Sequence, residues 1–202
     1  MPAPEDGARP SAETENIHKV DARTLRGLAH PLRLRLLTAL REYGPATASG
    51  LAGRLGESSG ATSYHLRQLA AYGFVEDDPE RGKGRERWWR AAHRGTIFDS
   101  GRFLTHPDPE VRGAVDVVLH EIANSHAQEL NTWVGTMREW PEEWRDGWDI
   151  SDFAVRLTPD LTEELILKVH DLIESYRGRV PEGTEGSANV RSHVHFFPRP
   201  TE

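Results

Sequence analysis

The chain is expected to fold as an α+β protein, mainly α: a winged helix-turn-helix, a long helix, then a small strand–helix–strand unit. Three observations predict this. Between Ala46 and Val75 a short helical pattern, a tight turn and a second helix, Ser58–Tyr72, follow one another. Directly afterwards come Phe74–Pro79, the run Glu80-Arg81-Gly82-Lys83-Gly84-Arg85, and Glu86–Ala92, which read as strand, basic glycine turn and strand. From Pro109 to Trp140, apolar residues recur by threes and fours, the spacing of one continuous helix.

Each element has a local cause. Residues 1–17 are rich in Pro, Glu, Ser and Gly with almost no apolar content, so a disordered tail is expected. A first helix over Asp21–Ala29 stops at His30, because the residue before Pro31 is disfavoured in helix. Pro31 opens the next helix at no hydrogen-bonding cost, and Leu32, Leu36, Leu37 and Leu40 form its buried stripe up to Tyr43. Gly44-Pro45 ends it. Thr47 or Ser49 caps Ala48–Leu55, and Gly56 closes that helix. Ser58 caps the second helix of the pair, whose inner stripe is Thr62, Leu66 and Leu69, and Gly73 ends it.

Further along, Val111, Val115, Val118, Ile122, Leu130, Trp133, Met137 and Trp140 line one face of the long helix and are the expected dimer interface. The heptad slips between Ile122 and Leu130, which favours a packed helix pair over a continuous coiled coil. Trp133, Trp140, Trp144 and Trp148 read as core or interface rather than as a pocket for an apolar effector. Alternation at Phe153, Val155 and Leu157 predicts a strand over residues 152–158. A helix over 159–178 follows, capped by Thr158, with Leu161, Leu165, Val169, Leu172, Ile173 and Tyr176 facing inward. A second strand is expected over 189–197. Two strands make too little sheet to stand alone, so partners must come from the other subunit or elsewhere. The expected domains are a winged helix-turn-helix over 18–98 and a dimerisation or effector region over 99–202.

Composition narrows the function. The chain has 202 residues, no cysteine and a formal charge of −7. Disulfides and thiolate metal sites are excluded, and a reducing cytoplasm is expected. No apolar run is long enough to span a membrane, and no signal-peptide pattern opens the chain. The charge is unevenly spread. Residues 21–95 carry 13 basic and 8 acidic side chains, whereas residues 96–202 carry 10 basic and 20 acidic ones. A basic module on an acidic body suits a duplex-binding domain with an accessory half.

Such a helix fits the DNA major groove, and Ser59, Thr62, Ser63, Tyr64, His65, Arg67 and Gln68 are its candidate contacts. Arg67 suits guanine, Gln68 suits adenine, and Ser59 at the helix N-terminus suits phosphate. His65 fits a packed or phosphate-bonded role better than a base contact. In the wing, Arg81, Lys83, Arg85 and Arg87 are the candidate phosphate or minor-groove contacts. The bland alternatives are a solvated polar helix face and solubilising turn charges.

The run His30-Pro31-Leu32-Arg33, then Leu36-Leu37, then Ser63-Tyr64-His65-Leu66-Arg67-Gln68-Leu69, then Tyr72-Gly73-Phe74-Val75 resembles the ArsR-type winged helix-turn-helix repressors of bacteria. The resemblance covers residues 20–95. It implies a homodimer on an inverted-repeat operator, with the helix Ser58–Tyr72 reading the major groove, the wing Phe74–Ala92 touching the neighbouring backbone, and terminal helices forming the dimer. The chain departs from the metal-sensing members. Ala48–Leu55 offers no ligand, and Gly113 and Val115 stand where upstream partners of His126 and Glu129 belong. The pairs Asp116/His120 and His193/His195 likewise fall short of the three or four groups a zinc ion needs. No metal or other cofactor is expected, and the segment from Ile150 onward looks like an addition to the short form of the family.

No phosphate loop, nucleophile elbow, zinc-protease motif or cysteine nucleophile is present, so an enzyme is not expected. The expected function is a sequence-specific transcriptional regulator, nucleoid-associated, homodimeric, with a possible small-molecule effector. The competing readings are a winged helix that binds protein and a small-molecule sensor whose DNA role is secondary.

Overall fold

The structure, a computed structural model, describes residues 16–81, 86–97 and 100–199. The chain divides into two compact units, Met1–Glu129 and Leu130–Glu202.

In the first unit, β1 (Ile17–Lys19) leads into α1 (Ala22–Leu28), which opens on a reciprocal cap. The Asp21 carboxylate accepts from the Thr24 amide at 2.7 Å, and the Thr24 hydroxyl accepts from the Asp21 amide at 2.9 Å. Next comes α2 (Pro31–Tyr43), with His30 as N-cap: its ring Nδ1 accepts from the Leu32 amide at 3.1 Å. A two-residue strand, β2 (Ala46–Thr47), precedes α3 (Ala48–Leu55) and α4 (Ser59–Ala71). Then come β3 (Val75–Asp77), β4 (Trp88–Ala91) and β5 (Gly95–Ile97). A short α5 (Ser100–Leu104) leads to α6 (Pro109–Thr136).

Two small sheets result. One is antiparallel, in the order β2-β4-β3, and the other pairs β1 with β5 in parallel. Neither β1, β2 nor β5 is expected from the sequence, because two or three residues are too few to alternate. Ile17, in the expected tail, pairs with Gly95; the rest of that tail, up to residue 15, lies outside the described residues.

The core of this unit gathers Leu25 and Leu28 from α1, Leu32, Leu36, Leu37 and Leu40 from α2, Leu51 from α3 and Leu66 and Leu69 from α4. Phe74, Val75 and Trp89 join it from the hairpin and Phe103 from α5. Of the expected dimer face, Val111, Val115 and Val118 lie in this same core, each at most 1% exposed, and Ile122 packs against it. These side chains, already buried in their own chain, have no surface left to offer a partner.

The second unit contains the end of α6, two 3-10 turns (Met137–Glu139 and Glu142–Trp144) and α7 (Pro159–Glu174). The long helix thus ends at Thr136 rather than at Trp140. Pro159 occupies the first turn of α7 and the Thr158 hydroxyl accepts from the Leu161 amide at 3.3 Å, as that start requires. Residues 175–178 are turn rather than helix. The strands expected over 152–158 and 189–197 do not form: both segments lack regular secondary structure. Their alternation sets which side chains share a face, but a strand also needs a hydrogen-bonded neighbour. The tryptophans meet one another, Trp133 with Trp140 at 5.4 Å and with Trp148 at 6.3 Å, and Trp140 with Trp144 at 5.7 Å between ring centroids. Among the described residues no helix is long and apolar enough to cross a membrane.

Candidate nucleic-acid interface

The helix-turn-helix is held from both ends and from behind. The Thr47 hydroxyl accepts from the Gly50 amide at 3.1 Å to start α3, and Gly56, at φ +69°, closes it with its amide on the Ala52 carbonyl. Ser58 then caps α4, its hydroxyl accepting from the Ala61 amide at 3.2 Å. From behind, Arg35 of α2 donates to the Glu57 carboxylate at 3.0 Å and to the Leu55 carbonyl at 2.7 Å, fixing the turn between the two helices. At the far end of α4, Gly73 (φ +78°) donates to the Ala70 carbonyl and Phe74 to the Leu69 carbonyl, both at 3.0 Å. This double closure steers Phe74 into the core and starts the hairpin.

The two faces of α4 then separate. Thr62, Leu66 and Leu69 are fully buried. Thr62 is therefore corrected from the list of candidate contacts: its hydroxyl is sealed in the core, with no hydrogen-bond partner among the described residues, where no base edge can reach it. Ser59, Tyr64 and Arg67 are exposed, and Ser63 and Gln68 half-buried. Tyr64 stands 53% exposed with its ring edge against His65. Arg67 has no ion-pair partner among the described residues, and the first turn of α4 carries no acidic side chain.

His65 turns sideways instead. Its ring packs on that of His30 with centroids 4.2 Å apart. Burial, the neighbouring imidazole and Arg33 hold the His65 pKa below its ordinary value, and burial followed by Arg33 lowers that of His30. Two neutral rings therefore join the N-cap of α2 to the middle of α4.

The wing strands carry their own charge pairs. Arg90 lies opposite Glu76 and bonds its carboxylate at 2.9 Å, and Arg87 bonds Asp77 at 2.8 Å while stacking over the Trp89 ring. Arg81 stands 3.8 Å from Asp78. Arg81 and Arg87 are thus partly neutralised within the hairpin. Lys83 and Arg85, the remaining expected contacts, lie outside the described residues.

A cleft opens between these elements, lined by Thr47, Ala48 and Ser49 at the start of α3, Ser63 and Arg67 of α4, and Glu86, Arg87 and Trp89 of the hairpin. The sequence pointed to Ser63, Arg67 and Arg87. It did not point to Thr47, Ser49 or Glu86, which join them only because β2 pairs with β4 and draws the start of α3 against the hairpin. The cleft is chemically mixed: hydroxyls and two guanidinium groups that can bond phosphate or guanine, and one carboxylate that can accept from a cytosine amine.

Among the described residues no three histidine, aspartate or glutamate side chains converge on a point that could hold a metal ion. His120 uses its Nδ1 on the Asp116 backbone carbonyl at 2.8 Å rather than meeting the Asp116 carboxylate.

A family model described as a helix-turn-helix domain matches residues 28–78, from the end of α1 through β3. A search of curated proteins gives no match. Among solved structures, the chain is similar to the homodimeric winged helix-turn-helix DNA-binding domain (fragment 1–100) of Mb0332 from Mycobacterium bovis, a possible ArsR-family transcriptional regulator. The two are 22% identical, with 54% of this chain and 82% of that chain covered and a TM-score of 0.33. RV1404 from Mycobacterium tuberculosis is 15% identical over 76% of this chain and 80% of its own, with a TM-score of 0.31. A variant of Lactococcus lactis ZitR in its apo form is 14% identical over 77% and 83%, with a TM-score of 0.27.

Proposed function

We propose that this protein is a DNA-binding transcription regulator that acts as a homodimeric repressor, reading an inverted repeat through α4 with the hairpin on the flanking backbone. The observation that carries the reading is the outward face of α4: Ser59, Ser63, Tyr64, Arg67 and Gln68 on a helix whose opposite face is anchored in the core. A major groove admits one α-helix, and a guanidinium and an amide on adjacent positions match guanine and adenine edges. Arg67 carries the base-edge role, Ser59 and the first turn of α4 the phosphate role. Thr47 and Ser49 add hydroxyls at the mouth of the cleft.

The test is operator selection from random duplexes, followed by fluorescence anisotropy on the selected duplex across salt. Specific binding that weakens steeply with salt is expected. Arg67→Ala should cost ~1–3 kcal/mol, about five- to 150-fold in affinity, and relax the preference at one base pair. Selection that enriches no sequence, with binding unchanged in Arg67→Ala, sinks the reading.

A further inference from the structure

The second unit presents an unusual balance of surfaces. Among residues 130–199 no described residue is buried, yet Leu161, Leu172, Tyr176 and fourteen other large apolar side chains stand exposed there. On α7 the half-buried positions are Thr162, Leu165, Ile166 and Val169. One flank of that apolar face is left open, formed by Leu161 (49% exposed), Leu172 (61%) and Tyr176 (62%), with Leu165 at its edge. A helix of 16 residues is marginal in water unless its apolar face is covered.

We propose that a second copy of this chain covers it, with α7 packing antiparallel on its counterpart about a twofold axis between Lys168 and Val169. The strip reads the same in both directions, as a self-complementary contact requires. About that axis Leu161 faces Tyr176 and Leu165 faces Leu172, each pair occurring twice. The charged flank agrees. Lys168, which pairs with Glu164 along its own helix at 2.5 Å, comes within one turn of Asp171 of the second copy. From Leu161 to Leu172 the strip is ~17 Å long at the rise of an α-helix, with Tyr176 in the turn just beyond, which suits another helix and exceeds a small molecule. This inference deepens the dimer of the proposed function and stands without its DNA half.

The test is sedimentation of the full-length protein without DNA, over nanomolar to high micromolar concentrations. The unaltered protein is expected to sediment as a dimer. Leu172→Glu should raise the dimer dissociation constant roughly a hundredfold or more, because symmetry places each substitution at the seam twice. Leu167→Glu, the same change on the opposite side of α7, should leave it within about twofold. Lys168→Glu and Asp171→Lys should each weaken the dimer, and the two together should restore it. A monomer at every concentration, with the strip covered by another part of the chain or by an effector, overturns the proposal. So does a dimer indifferent to Leu172→Glu, or one weakened equally by Leu167→Glu. Because Arg67→Ala leaves this seam untouched, loss of DNA binding and loss of the dimer are read separately.

Discussion

At Gly27 and Gly113 the same added methyl group meets opposite surroundings. A Cβ built at Gly27 in α1 would lie 2.4 Å from Cγ of Tyr72, the C-cap of α4, whereas one at Gly113 in α6 meets nothing within 4 Å. Gly27→Ala should therefore cost ~1–3 kcal/mol by overpacking. Gly113→Ala should add ~0.5–1 kcal/mol, because alanine loses less conformational freedom in a helix. Urea denaturation reads both, and equal effects at the two positions would contradict the packing. Thr62 offers a second contrast. Its hydroxyl is buried without a partner, so Thr62→Val should leave stability level or raise it by about 1 kcal/mol, with DNA affinity unchanged. The spacing of Thr62 with Leu66 and Leu69 already placed it inside. Counting it as a contact gave its hydrogen-bonding chemistry more weight than its position.

Among the elements, α2, α3 and α4 were legible because their signals are local: a proline after His30, caps at Thr47 and Ser58, and glycines at 56 and 73. The short strands were not, since β1 and β5 lie more than seventy residues apart and exist only through each other. The converse error arose at 152–158 and 189–197, where clear alternation forms no strand among the described residues. Along α6 the apolar stripe is fully covered within its own chain only at Val111, Val115 and Val118, because periodicity identifies an apolar face but not what covers it. The contact between the His30 and His65 rings could not be foreseen from spacing, and it makes a pH prediction. Both titrate below their ordinary value in the folded protein. The unfolded chain thus takes up protons first as pH falls, so stability is full above about pH 6.5 and drops progressively below it. Protonation also removes the Nδ1 acceptor that caps α2. Thermal melts between about pH 7.5 and 5 should show the loss, and His30→Asn, which keeps a cap without the titration, should reduce the slope. An unchanged slope would mean the pair does not govern acid sensitivity.

For the whole molecule, the charge imbalance was visible in the sequence, while the neutralisation of Arg81 and Arg87 by Asp78 and Asp77 was not. The salt dependence of DNA binding should therefore report fewer phosphate contacts than the number of basic residues in 21–95 suggests. If two α4 helices enter successive major grooves, half-site centres fall ~34 Å, or about 10 base pairs, apart. Leu172→Glu should then retain weak affinity for a half-site duplex and lose the gain from joining two half-sites, which anisotropy on the two lengths measures. Equal gains with and without the substitution would place the subunit contact outside α7.

The parallel pairing of Ile17–Lys19 with Gly95–Ile97 has a consequence for how the protein is handled. The base of the hairpin is fastened to the chain's leading segment, and Arg41 of α2 clasps the same place through the His93 carbonyl at 3.1 Å and the Thr96 hydroxyl at 2.7 Å. Trypsin cutting after Lys19, or a bulky purification tag fused just ahead of Ile17, would loosen that fastening from a site remote in sequence. Nicked or tagged protein should hold its hairpin less firmly, visible as faster amide deuteration at Trp88–Ala91.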